Sequence, residues 1–221
     1  DRDTKTFDSG KIKLKKLSKV TIGVVRVGGV DNNIQELIDN KINEIIEKLK
    51  WQTTQVTIKY IDLAVQTYYL LVYTEFYSAT RRFDGRKYGE KIDEVGGKEV
   101  LRRIYGGSEI AKAEFAGRYY HKALHVKEII KQEFEKALQK IDCLIMPTVA
   151  VLPWKFGAIT APEEMYAVDA LAIPANLAEV CAVSIPIGKI GNKPVGMQII
   201  CGKGSEGKML SIAKEIEKLS V

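Results

Sequence analysis

One acid stands apart in this sequence. Asp169 sits in the run MYAVDALAIPANLA, where its neighbours are apolar or small. A carboxylate so placed must face a cleft, pair with a cation or lose its hydration at a cost. Other spacings suggest chemistry and lose it on inspection. The run GKGSEGKM at 202–209 has the glycine and lysine spacing of a phosphate-cradling loop. Met209 stands there in place of the hydroxyl residue that holds magnesium, so an ordinary turn is expected. Ser108 and Lys112 share a helix face at i and i+4. Lys112 is surrounded by Glu109, Glu114 and polar positions that keep it charged, which is the wrong state for a proton acceptor. His121 and His125 have metal-ligand spacing without a third ligand nearby, and no metal site is expected.

These residues hang on short apolar runs. Those at 144–146, 183–187 and 197–201 read as buried strands: each is a few residues long, partly β-branched and bounded by Pro or Gly. VTIGVV at 20–25 is a nearly continuous apolar strand, the pattern of one covered on both faces. A helix follows with its apolar stripe on Ile34, Leu37, Ile38, Ile42, Ile45, Ile46 and Leu49, capped by Asn32 or Asn33. A second strand is expected over 54–60, a tyrosine-rich helix over 63–83, and a short helix at 99–105 stopped by Gly106 and Gly107. A long helix buries Tyr119, Ala123, Val126, Ile130, Phe134 and Ala137, and a last helix covers 206–219. Strands alternating with helices predict an α/β class. We expect one domain over 1–221, opening with a polar connecting segment at 1–19. The chain starts on Asp rather than Met and reads as cut.

Composition bounds the function. Hydrophobic residues make up 46% and charged residues 28%, no apolar run is long enough to span a membrane, and no signal peptide opens the chain. A cytoplasmic protein is expected. Cys143, Cys181 and Cys201 are isolated in apolar runs and read as buried free thiols. The net charge of +6 admits an anionic partner, although Lys and Glu alternate along most helices. A basic patch at Arg81, Arg82, Arg86 and Lys87 is the local exception.

Several motifs, in one order, carry a resemblance. PT at 147–148, MY followed three residues on by Asp169, IPANLA, then SIP and PVGMQII resemble the C-terminal half of amidase-signature enzymes. YYLLVYTEFYSATRRFDGRKYG and YYHKALHVKEIIKQEFEKALQKIDCLIMPT match the same family in order and spacing. Within it, the chain is most similar to the A subunits of the tRNA-dependent amidotransferases. The resemblance implies part of the amidase-signature fold, an α/β architecture with a mixed, mostly parallel sheet covered by helices on both faces. It implies that Asp169 contacts the ammonium of free glutamine, that Arg103 contacts its carboxylate, and that Tyr68 lines the same pocket. An acid and a guanidinium held apart suit such a zwitterion; the residues alone equally allow Arg103 to cap a carbonyl or pair with Glu99 one turn back, and Tyr68 to be core.

The resemblance also implies what is elsewhere. The family's nucleophilic serine, second serine and lysine belong to its N-terminal half, and no Gly-Gly-Ser-Ser stretch occurs here. No catalytic residue and no cofactor are therefore expected in this chain. ATP and magnesium are expected on a partner B subunit, with a C subunit, the missing N-terminal half and tRNA as further partners. Two positions depart from the family pattern: Glu179 and Cys181 stand where a Gly and a small residue or Pro are usual. A fragment of a stand-alone amidase, a basic RNA-binding module and an inert pseudo-domain are the alternatives.

Overall fold

The computed structural model describes residues 12–112, 117–158 and 161–220. Strand β1 (Thr21–Val25) is followed by α1 (Asn32–Leu49), β2 (Gln52–Val56), α2 (Ala64–Thr80), α3 (Ile92–Val95), α4 (Lys98–Ile110), α5 (Arg118–Leu138), β3 (Cys143–Pro147), α6 (Pro162–Val168) and α7 (Ile173–Leu177). A hairpin of β4 (Cys181–Ile190) and β5 (Lys193–Cys201) leads to α8 (Glu206–Glu217). The sheet order is β2-β1-β3-β5-β4. Parallel pairing holds for β1 with β2 and with β3. It stops there, because the tight β4–β5 turn at Gly191 makes that pair antiparallel, and β5 also runs antiparallel to β3.

Helices cover both sheet faces, as the α/β expectation requires. On one face Ile34, Ile38, Ile42 and Ile45 of α1 and Met209, Ile212 and Ile216 of α8 pack on Ile22, Val24, Ile145 and Ile199. On the other, α2, α5 and α7 bury Leu71, Ile130, Phe134, Ile173 and Leu177 against Leu144, Met146 and Ile200. The apolar stripe traced on α5 is buried at Ala123, Ile130 and Phe134, whereas Tyr119 points outward and is 42% exposed.

Several boundaries move, each for a local reason. The cap of α1 is Asp31, whose carboxylate accepts from the Asn33 N–H at 2.8 Å. Strand β2 ends at Val56 because its partner strand ends at Val25, the residue opposite. Gly106 and Gly107 do not stop α4, which runs on to Ile110. The glycines serve packing: a Cβ on Gly107 would lie 2.0 Å from the Tyr73 carbonyl oxygen and one on Gly106 2.6 Å from the Tyr73 ring. They let α4 press against α2. All three cysteines are free; Cys143 and Cys201 are buried, while Cys181, at the start of the outer strand β4, is half-buried. Burial pushes its thiol up to about 11. Among the described residues no helix is long and apolar enough to cross a membrane.

Candidate functional site

Helix α2 is the centre of the site. Tyr69 and Tyr73 lie one turn apart on it, so both project to the same side. Helix α4 approaches from one side with Arg102 and Arg103. Helix α6 approaches from another, and the 3-10 turn Asp169–Leu171 that continues it carries the acid.

The Tyr69 hydroxyl donates to Asp169 Oδ2 at 3.1 Å. Burial, the Asp169 charge and that bond hold the Tyr69 phenol well above its ordinary pKa, while the nearby Arg103 guanidinium pulls the other way. Tyr69 is thus a protonated donor at neutral pH and feels both charges. Arg103 Nε donates to Glu99 Oε1 at 3.0 Å one turn back on α4. The other Glu99 oxygen meets Arg102 Nη1 at 2.5 Å. That pairing uses Nε, so among the described residues the terminal nitrogens of Arg103 have no assigned partner. Tyr68 is half-buried in the second core cluster, with its ring edge-on to Tyr69 at 5.1 Å.

Asp169 is thus bonded to Tyr69, and Arg103 is near enough for its charge to act on the same phenol, while its Nε pairs with Glu99. Asp169 is exposed and Arg103 half-buried, so a solute reaches both. Such a pair binds a cationic group at the carboxylate and an anionic group at the guanidinium. The residue that sequence reasoning missed is Tyr69, one position beyond Tyr68. Its signal was the density of tyrosines on this helix, but adjacent residues differ by 100° around the axis and only packing reveals which one faces Asp169. The Glu99 pairing is the alternative that the spacing of α4 allows for Arg103, and it forms; Tyr166 carries no such signal in the sequence.

The remaining motifs resolve without chemistry. Lys208 of the 202–209 run turns to Asp142 at 2.6 Å rather than toward a phosphate site. Lys112 pairs with Glu109 at the surface, and His121 and His125 are exposed. Among the described residues no group of His, Cys, Asp or Glu could hold a metal ion. In the basic patch, Arg81 pairs with Asp93 at 3.0 Å and covers the Tyr77 ring, so part of its charge is spent locally.

Glu179 takes the left-handed conformation, φ 57°, which explains why glycine suits this position. Its carboxylate lies between Lys127 at 3.0 Å, Lys203 at 3.2 Å and Lys131 at 3.5 Å. It borders a hollow of about 670 Å³ with Asn176, Cys181 and Lys203. None of Tyr69, Arg103 and Asp169 lines it. Of its lining charges Glu179 and Lys203 pair with each other; we place the candidate site around Tyr69, which bonds Asp169 and feels the Arg103 charge.

Comparison with known proteins decides the family. The Amidase family model matches residues 2–210. The chain belongs to the amidase family. Among curated amidases it is 40% identical over 219 residues to the A subunit of the glutamyl-tRNA(Gln) amidotransferase of Methanocaldococcus jannaschii, covering 98% of this chain and 50% of that protein. It is 42% identical over 207 residues to the protein of the same name from Methanothermobacter thermautotrophicus, covering 93% and 45%. Among solved amidases, the crystal structure of the glutamyl-tRNA(Gln) amidotransferase A subunit from Thermotoga maritima aligns with a TM-score of 0.72 at 31% identity, over 90% of this chain and 42% of that one. The structure of 6-aminohexanoate cyclic dimer hydrolase gives 0.78 at 16% identity, over 93% of this chain and 46% of that one, a likeness of fold alone. The chain spans about half the length of the curated relatives it matches.

Proposed function

We propose that this chain is the glutamine-recognising part of the amidase subunit of a tRNA-dependent amidotransferase, the enzyme that converts Glu-tRNA(Gln) to Gln-tRNA(Gln). The observation that carries the proposal is the single phenol, Tyr69, that donates to Asp169 and lies in the field of Arg103. Glutamine presents an ammonium and a carboxylate on one carbon. Asp169 accepts from the first and Arg103 donates to the second, with Tyr68 and Tyr69 as the aromatic wall. An apolar amide would make no use of either charge, which disfavours a stand-alone amidase of simple amides.

The reacting groups, a serine nucleophile with its second serine and lysine, come on this reading from the other half of the family's length. The outer strand β2 is QTTQV, polar as an end strand should be. The opposite outer strand β4 is CAVSIPIGKI, ten residues with a core composition, and it exposes Ala182, Ser184 and Pro186. Pro186, Lys189 and the bulge at Pro186/Gly188 blunt that edge. Ammonia released from glutamine passes, in this proposal, to a B subunit that holds ATP, magnesium and the tRNA, with a C subunit joining the two.

The test is glutaminase activity of the chain supplied with its amino-terminal half. Losing a charge-assisted hydrogen bond costs about 1.5–3 kcal/mol. Arg103→Ala and Asp169→Ala should therefore each raise the glutamine KM by about 10- to 100-fold, with a smaller change in kcat. A KM within twofold of the parent in both variants would remove the site assignment.

A further inference from the structure

Helix α6 and the turn after it need an anchor. Asp169 is exposed, and on α6 Glu164 and Met165 are exposed as well. Tyr166 is the aromatic side chain of this segment, and it is half-buried. Its ring lies 3.9 Å from that of Tyr69, centroid to centroid, tilted by 33°. Its hydroxyl forms a short hydrogen bond with that of Tyr73. Tyr166 also lies close enough to Arg102 of α4 to help hold its guanidinium pKa above the ordinary value.

The spacing makes this a two-point attachment. Tyr166 and Asp169 are three residues apart and share a face; Tyr69 and Tyr73 are four apart on α2 and share theirs. Asp169 meets Tyr69 while Tyr166 meets Tyr73. One bond alone would let the turn rotate about it, and two fix both angle and distance. Tyr73 is itself held, because Gly106 lies under its ring and Gly107 against its carbonyl, which locks α4 to the same tyrosine. Arg103 is the next residue after Arg102 on that helix. The chain of contacts from Asp169 to Arg103 thus runs through Tyr166 as well as through Tyr69.

We propose that Tyr166 is a positioning residue that sets the spacing between Asp169 and Arg103, and so the size of amino acid the pair accepts. The inference rests on the glutamine reading above but makes a separate claim. Tyr166 acts, on this proposal, through Tyr73 rather than on the substrate. Burial and the Tyr166 bond hold the Tyr73 phenol above its ordinary pKa, so the Tyr73 hydroxyl stays neutral across the physiological range.

The experiment measures KM and kcat for glutamine and for asparagine, one methylene shorter, together with Tm, in the chain supplied with its amino-terminal half. The variants are Tyr166→Phe, Tyr73→Phe, the double variant, and Asp169→Ala and Arg103→Ala as references. Tyr166→Phe keeps the ring and removes the hydroxyl. We expect glutamine KM to rise about fivefold with kcat little changed, and the preference for glutamine over asparagine to narrow. Tyr73→Phe should do the same, and the double variant should be no worse than either single one, since both remove one shared bond. A glutamine KM and preference at parental values in Tyr166→Phe, while Asp169→Ala and Arg103→Ala raise KM, would overturn the positioning role and leave the glutamine reading standing. A lowered Tm with unchanged KM would reduce Tyr166 to a packing residue, which also overturns it. Unchanged KM in the Asp169 and Arg103 variants would remove the glutamine reading itself, and the positioning role with it.

Discussion

Substituting Gly107 by Ala tests the frame of the site more sharply than any change to its charges. A Cβ there would stand 2.0 Å from the Tyr73 oxygen, 2.6 Å from the Tyr77 Cβ and 2.7 Å from the Tyr73 carbonyl carbon. Two of these atoms are backbone of α2 and cannot swing aside. Ordinary contact begins at 3.4 Å, so α4 must retreat from α2 by roughly 1.4 Å at this point. Overpacking a filled interface costs about 1–3 kcal/mol, and a backbone obstacle places this case near the upper end. Ala gains back about 0.8–1.0 kcal/mol of helix propensity over Gly. The net loss is then about 2 kcal/mol, which for a chain of this size lowers Tm by about 4–8 °C. Gly97, where an added Cβ meets nothing within 4 Å, is the matched control. Thermal unfolding of both variants beside the parent is the assay, followed by glutamine KM. Because Arg103 sits one turn before Gly107 on α4, the same retreat should raise KM. A Gly107→Ala chain with parental or higher Tm would refute the close approach of α2 and α4 on which the geometry of the site depends.

Two further outcomes follow from the ion pairs. Glu179 bears a left-handed backbone, which costs an L residue about 1–2 kcal/mol, against three lysine contacts that salt weakens. Glu179→Gly should be close to neutral in dilute buffer and more stable than the parent near about 1 M salt; stability curves that stay parallel with salt would contradict this. At Asp142, burial pushes the carboxyl upward, but the Lys208 ammonium and the Thr21 N–H outweigh it and hold its pKa below the ordinary value. A depressed carboxylate contributes stability that is fully present above the unfolded pKa of about 3.9 and is lost as pH falls through the folded one. Asp142→Asn should therefore be less stable than the parent at neutral pH, with the gap closing in denaturant titrations below about pH 4. A gap independent of pH would exclude that ionisation as its source.

The sequence by itself determined the elements and the family. Apolar runs of strand length and stripes of helical spacing are local signals, so β1, β3, β5, α1, α5 and α8 were legible from burial periodicity alone. Asp169 was legible for the same reason: one charge in an apolar run is conspicuous without any coordinates. What packing alone decided is whatever depends on two segments distant in the chain. Where β2 stops is set by the end of β1, which lies across a helix in sequence. Whether Gly106 and Gly107 end a helix or press it against another is settled by the presence of α2, since glycine is compatible with both. The choice of Tyr69 over Tyr68 as the partner of Asp169 is a 100° rotation that no local pattern resolves, because both are tyrosines on one helix. Tyr166 became visible only once α6 was laid beside α2. Periodicity records which side of a segment is buried; which neighbour buries it is a property of the folded chain.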